Sequence, residues 1–257
     1  MHLPLSRLSV ADVARQAERS GLVARISNST VWRLLHEDAI RPWQHRCWIF
    51  PRDPQFKAKA GRILDLYART WQTRELRADE FVVSAGEKTS IQARVRLHPS
   101  LPVRAGRPMR VEHEYQRGGV WAYLAALDVH RAKVFGRCEP TTGIALYARL
   151  VDQVMSQPPY NEARTVFWIV DNGSSHRGQQ CIERLRSTHP RVVLVHGPVH
   201  ASWLNHIEIY FSIVQRKVLS SNDFPCLEAV EQRLLDFERY YESTARPFEW
   251  KFMRAHL

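Results

Sequence analysis

Cysteine is scarce in this 257-residue sequence and never clustered: Cys47, Cys138, Cys181 and Cys226 stand apart, with no C-x-x-C pair. That spacing excludes a zinc module and the dense crosslinking of a small secreted domain, so a reduced cytosol is the expected compartment. Long apolar runs are missing too. None approaches the roughly 18 residues of a membrane span, and the opening Met-His-Leu-Pro-Leu-Ser-Arg lacks the apolar core of a signal peptide. There is no internal repeat and no low-complexity tract. Acidic residues are in deficit, 26 Asp and Glu against 37 Lys and Arg, which leaves a formal charge of +11. With no membrane signal, that field favours nucleic acid as the partner. The excess is uneven, since residues 1–60 hold ten basic side chains against five acidic ones.

The texture divides the chain into residues 1–54 and 55–257. The first segment reads as two short helices around a turn. Ser9 and Asp12 have capping-box spacing, Val10, Val13 and Ala14 form an apolar stripe, and Gly21 suits a helix stop. In the second helix Val31, Leu34 and Leu35 repeat at helical spacing, which leaves Asn28, Ser29, Thr30 and Arg33 on the solvent face. A helix-turn-helix presents its base-reading and phosphate-contacting side chains there; a plain helical hairpin has the same pattern. Residues 41–54, with three prolines and two tryptophans, read as a linker that packs or grips.

Beyond a helix expected at 55–73, strand and helix signals alternate. Strands are expected at Phe81 to Ala85 and Val166 to Val170, with a hairpin joining Val120–Val129 to Lys133–Cys138. Helices are expected near 143–156 and 178–187, with a strand at Val192 to Val195. Leu204, Ile207, Phe211, Val214 and Val218 step by three and four, as do Leu227, Val230, Leu234, Phe237 and Tyr241. The expected fold is α/β, a mixed sheet covered by helices, behind a small all-α segment.

Two carboxylates stand out. Asp171 follows the apolar strand ending at Val170, and ligand sites in open α/β sheets gather beyond strand carboxyl ends; the Asp-Asn-Gly that it opens is also an ordinary turn signal. Glu208 borders the apolar stripe of a helix. Thirty-six residues lie between them, room for one helix, one strand and a loop, which brings both to one end of the sheet. Such a pair suits a hard divalent cation, Mg²⁺ or Mn²⁺, shared with phosphate oxygens. Lys88 to Arg110 holds six basic residues, among them Lys88, Arg94 and Arg96, and no acidic one. It reads either as a solvated loop or as a track for a phosphate backbone. His196 and His200 bracket a loop that does not keep both on one helix face, which argues against zinc. His206-Ile207-Glu208 is followed by no P-C-x-x-C, so a deaminase site is excluded.

As a set, Glu87-Lys88-Thr89-Ser90-Ile91-Gln92-Ala93, Ala126-Leu127-Asp128-Val129, Val170-Asp171-Asn172, His200 to Ile209 with its Ser-Trp-Leu-Asn-x-x-Glu run, and Ala245 to Trp250 resemble the DDE transposases of bacterial insertion sequences in the Tc/mariner superfamily. The resemblance implies a ribonuclease H-like domain over 55–257 and a helix-turn-helix over 1–54 that binds terminal inverted repeats. It also implies two Mg²⁺ or Mn²⁺ ions held by an Asp-Asp-Glu triad, with Asp171 matching the second carboxylate and Glu208 the third. Double-stranded DNA, both repeat and target, would be the partner, with a homodimer holding paired ends in the nucleoid-associated cytoplasm.

The sequence departs from that pattern twice. The first Asp of the triad, expected directly before Glu87-Lys88, is Gly86. Glu87 points to the other face of a strand, and Asp128 reaches the site only if the sheet register allows. Impaired cleavage is therefore expected. The family also carries another helix-turn-helix unit ahead of the one at 9–36, so a shortened N-terminus is expected. A chain that binds repeats without cutting them would act as a competitor of active transposase. A ribonuclease H-like nuclease unrelated to mobile elements shares the carboxylates but does not account for the helix-turn-helix or the Ser202 to Glu208 run.

Overall fold

The computed structural model describes residues 8–38, 40–41, 44, 52–171 and 179–257, the side chains at 179–182 and 184 excepted. The chain divides into two compact units, Met1–Phe50 and Pro51–Leu257, a boundary slightly earlier than the texture implied.

In the first unit α1 (Val10–Arg19) starts at the anticipated capping box: Asp12 N–H donates to Ser9 Oγ at 3.2 Å, and Ser9 N–H donates to the Asp12 carboxylate at 2.9 Å. Gly21, at φ 71°, takes the left-handed conformation that lets the chain leave the helix. Ser27 caps α2 (Asn28–Glu37) through the Thr30 N–H at 3.1 Å. Ala14 and Val31 are the buried apolar contacts. Leu34, expected on the apolar stripe, is instead 49% exposed, because the buried face narrows to Val31 with Leu35 half-buried.

In the second unit α3 (Phe56–Tyr67) stops six residues short of its expected end. Arg69, Gln72 and Thr73 adopt positive φ and fold the chain into a tight pair of strands, β1 (Thr70–Trp71) and β2 (Arg74–Glu75). Then comes β3 (Glu80–Arg96), whose 17 residues extend far beyond the predicted Phe81 to Ala85. The basic stretch thus begins as a strand rather than a loop. Register shifts after Lys88 and after Gln92 break its pairing with the antiparallel β4 (Tyr115–Asp128). The hairpin partner is β5 (Val134–Glu139). Two more strands, β6 (Thr165–Val170) and β7 (Val192–His196), join parallel, and the sheet order is β5-β4-β3-β6-β7.

Strand periodicity sorts the core. In β6, Val166, Trp168 and Val170 face α4 (Ile144–Met155), while Phe167 and Ile169 face α3. Both faces are buried, so β6 reads as a continuous apolar run. The α4 side also receives Leu185 of α5 (Gln179–Thr188). On the other face, α6 (Ile207–Val214) and α7 (Leu227–Thr244) pack over Ile91, Ala93, Tyr123, Ala125 and Leu127. The stripe from Leu204 to Val218 is buried as expected, although not on one helix. Leu204 belongs to a single 3₁₀ turn, Ser202–Leu204, and α6 passes into a π-helical turn, Gln215–Leu219. Among the described residues no helix is long and apolar enough to cross a membrane.

The α7 layer holds a half-buried acid, Glu238. Tyr123 Oη donates to Glu238 Oε1 at 2.7 Å, yet burial outweighs that bond and pushes the Glu238 carboxyl from its ordinary value near 4.5 up to about 7. An acid whose folded pKa is raised favours folding when protonated. Its contribution is complete below pH 4.5 and is lost as the pH rises to about 7. Acidification from pH 7.5 to 5.5 is therefore expected to add to the melting temperature a component that Glu238→Gln removes. Parallel thermal melts of the two proteins across this range check it, and identical pH dependence would refute it.

Candidate active site

The parallel register of β3 and β6 pairs Val83 with Trp168 and Ser84 with Ile169. Continued two residues past the last pair, this register brings Gly86 level with Asp171 and on the same face of the sheet, because side chains alternate along each strand in step. Asp171 is half-buried, just past the end of β6. Asn172 to His176, which follow it, lie outside the described residues.

Glu208 arrives from the other direction, on the first turn of α6. The segment leading to it is anchored at three points. Asp53 accepts from Val199 N–H at 3.0 Å and from Lys59 Nζ at 2.8 Å. Tyr67 Oη donates to the Leu204 carbonyl at 2.6 Å and accepts from His206 N–H at 3.2 Å. The third anchor is buried. Asn205 Nδ2 donates to the Ala85 carbonyl at 2.9 Å, the Ser84 hydroxyl donates to Asn205 Oδ1, and Ile207 N–H donates to Ser84 Oγ at 2.8 Å. Asn205 interrupts the helix with an extended backbone so that its side chain can make this clamp. The clamp ties the start of α6 to the two β3 residues that precede Gly86, and so brings Glu208 beside Asp171.

The electrostatics record that proximity. Partial loss of water and the charge of Asp171 raise the Glu208 carboxyl above its usual range, and Lys88 opposes the rise. Glu208 itself is solvent-exposed, further out than its place beside the apolar stripe implied. His206 lies buried beneath it, its ring stacked on Tyr67 with centroids 3.8 Å apart, and burial brings its pKa down to about 4, so it is neutral.

Neither Asp128 nor Glu87 is directed to this face beside Gly86. Asp128 pairs with Val83, three residues from Gly86 along β3, and accepts from Tyr160 Oη at 2.8 Å and from the His130 and Arg131 N–H groups at 3.1 Å. It caps the β4–β5 turn. Glu87 pairs with Leu124, whose side chain belongs to the α4 side of the sheet. Gly86 is itself buried, and a Cβ built on it would lie 2.9 Å from Ile207 Cγ2 and 3.4 Å from Phe211 Cε2. Among the described residues the carboxylates brought together here are those of Asp171 and Glu208, and no group of three His, Cys, Asp or Glu could hold a metal.

The basic candidates separate. Lys88 shares the face of Gly86, close enough to bias Glu208, and with Arg94, Gln92 and Asn222 it lines a small polar cleft of about 150 Å³. Arg96 is engaged elsewhere: it donates to the Asn222, Glu112 and His113 carbonyls, and with Arg94 it stacks on Tyr115, so it braces the β3–β4 connection instead of lying open to phosphate. In α2, Asn28, Ser29 and Arg33 are exposed, whereas Thr30 is half-buried with its hydroxyl 2.9 Å from Ser27 Oγ. Sequence reasoning missed Ser84, Tyr67 and Asp53. A lone Ser in an apolar strand and an Asp in a Pro-rich tract are faint signals, and only Asn205 lay in a motif.

Residues 86–231 match the model of the DDE superfamily endonucleases, so the match begins at the glycine itself and spans more than half of the chain. The chain belongs to this family. The DDE endonuclease is similar in structure to the Mos1 mariner paired-end complex with Mn, at 15% identity and a TM-score of 0.59, over 95% of this chain and 76% of that one. It is likewise similar to the Mos1 transposase paired-end complex with the left transposon end (15%, TM-score 0.60, 100% and 77%) and to the Mos1 strand transfer complex (15%, 0.57, 95% and 75%). At these identities the likeness establishes the fold, a mixed sheet flanked by helices as in those transposases. No curated protein matches the sequence.

Removing the clamp should loosen the whole site. Asn205→Ala leaves the Ala85 carbonyl and the Ser84 hydroxyl without their partner, an expected loss of about 2–4 kcal/mol. Asn205→Asp, which cannot donate to Ala85, should cost at least as much, and Tyr67→Phe only about 1 kcal/mol. Urea unfolding measures all three; a neutral Asn205→Ala would show that the clamp does not carry the site.

Proposed function

We propose that this DDE endonuclease is the transposase of an insertion sequence, one that binds terminal inverted repeats and target DNA and whose cleavage and strand transfer are impaired by Gly86. The observation that carries the reading is the β3–β6 register, which continued two residues brings Gly86 level with Asp171, together with the Asn205 clamp that sets Glu208 within electrostatic reach of Asp171. These are the three corners of a carboxylate site with one corner empty of oxygen. The chemistry would be attack of water on a phosphodiester at the element end, followed by attack of the freed 3′-hydroxyl on target DNA. Asp171 and Glu208 are the residues assigned to it. Comparable structures hold a transposase on transposon ends, as paired ends with Mn and in strand transfer, which supports DNA and a divalent metal here; a homodimer holding the paired ends belongs to the same proposal.

The exposed Asn28, Ser29 and Arg33 on α2 support the N-terminal helices as a helix-turn-helix that reads the repeat. Lys88 and Arg94 are assigned to the phosphate backbone near the cut. A second reading, a DNA-binding competitor of active transposase that does not cut, is favoured by Gly86 itself, because loss of the first carboxylate leaves the basic and helical surfaces intact.

Both readings are tested on a labelled inverted-repeat duplex in Mn²⁺. The chain is expected to bind, to lose affinity steeply with salt, and to nick slowly or not at all. Each phosphate contact contributes about −0.9 to the slope of log K against log salt, so Arg33→Ala and Arg94→Ala should each flatten it by about one. Binding that barely changes with salt would overturn the DNA assignment, and rapid nicking would overturn impairment.

A further inference from the structure

Gly86 is more than a missing ligand. Its backbone lies against α6, and the atom nearest to the direction of its absent side chain is Ile207 Cγ2, 2.9 Å from where a Cβ would stand. Side-chain carbons do not approach so closely without something moving. Ile207 is fully buried among Tyr210, Phe211, Ala125 and the rest of the α6–α7 core. It is β-branched, so a methyl on a stiff χ1 occupies the place. The helix cannot easily retreat. Ile207 N–H is bonded to Ser84 Oγ at 2.8 Å, and Asn205, two residues earlier, is bonded to Ala85. Strand and helix are thus fastened together within two residues of the crowded point, through Ser84 and Ala85 just ahead of Gly86 and Asn205 and Ile207 at the start of α6.

From this we infer that Ile207 closes the place of the first carboxylate, so that Gly86→Asp alone does not rebuild the site and a second change at Ile207 is required. The inference rests on the reading of Gly86, Asp171 and Glu208 as a carboxylate site. Its steric half stands independently, because the crowding exists whatever the site does. Ile207 acts as a positioning residue: its branch methyl sets how near α6 comes to β3 and whether any side chain can stand at 86.

The test separates the two halves. Gly86→Ala adds only the Cβ, and it is combined with Ile207→Leu, which keeps the side-chain volume but moves the branch away from Cβ, and with Ile207→Val, which keeps Cγ2. In urea unfolding, Gly86→Ala is expected to lower the midpoint in the wild-type and Ile207→Val backgrounds and to have little or no effect in Ile207→Leu. An equal loss in all three would overturn the inference. Mn²⁺ binding is then measured by the electron paramagnetic resonance signal of the free ion, with no DNA present. Gly86→Asp alone is expected to bind no better than the natural chain, and Gly86→Asp with Ile207→Leu about tenfold more tightly or better, the scale on which neighbouring groups alter metal affinity. Tight binding by Gly86→Asp alone would overturn the inference. Relief of the steric penalty without any gain in Mn²⁺ affinity would uphold the role of Ile207 and overturn the carboxylate-site reading on which it was built.

Discussion

The second unit depends at its functional end on one buried amide. Asn205 reaches from a break between a 3₁₀ turn and α6 to the Ala85 carbonyl and the Ser84 hydroxyl of the central strand, and Ser84 returns a bond to the first N–H of α6. A side-chain amide is suited to this because it donates and accepts at once, so it meets the Ala85 carbonyl and the Ser84 hydroxyl together. In an apolar surrounding such bonds are costly to leave unmade. The clamp therefore converts a flexible helix entry into a defined one, and Glu208, three residues later, inherits its position.

That constraint explains why some features were legible in the sequence and others were not. The apolar run Val166 to Val170 identified β6, and the step of three and four identified the packing faces of α6 and α7, because burial imposes those periods directly. Asp171 and Glu208 followed from their places at the ends of such elements. The single helix expected from Leu204 onward was wrong because periodicity records which side chains are buried, not whether the backbone between them is continuous; Asn205 breaks the helix while Leu204 stays in the core. The strand expected at Phe81 to Ala85 is present but much longer, for a related reason. Beyond Gly86 the side chains become mixed, and the strand continues on pairing with β4 instead of on an apolar pattern. Neither the closeness of Ile207 to Gly86 nor the engagement of Arg96 by three carbonyls leaves any trace in a one-dimensional pattern.

The basic surface shows the same limit. A count of six cations between Lys88 and Arg110 treats them alike, yet a guanidinium whose donors meet backbone carbonyls has little left for phosphate. Arg96 stiffens the connection between β3 and β4, and through Asn222 it ties that connection to the segment ahead of α7. Lys88 differs by facing the acids. It moderates the repulsion between Asp171 and Glu208, so part of its charge already acts within the protein.

A carboxylate site of this kind works against the fold that carries it. Glu208 is raised first by its partial loss of water and then by the charge of Asp171, which means that the two anions oppose each other. A third carboxylate at position 86 would add to that repulsion and would be placed on a buried strand facing an apolar helix. Glycine avoids both costs, and it allows Ile207 to press against the strand and extend the α6 core to the edge of the site. The exchange illustrates the general opposition between stability and a strained active site. Packing that strengthens the second unit occupies the volume that a metal-binding side chain would need. In the proposed site the glycine at position 86 and the tight seating of Ile207 are one structural event, and placing a metal-binding side chain there means giving up packing as well as adding oxygen.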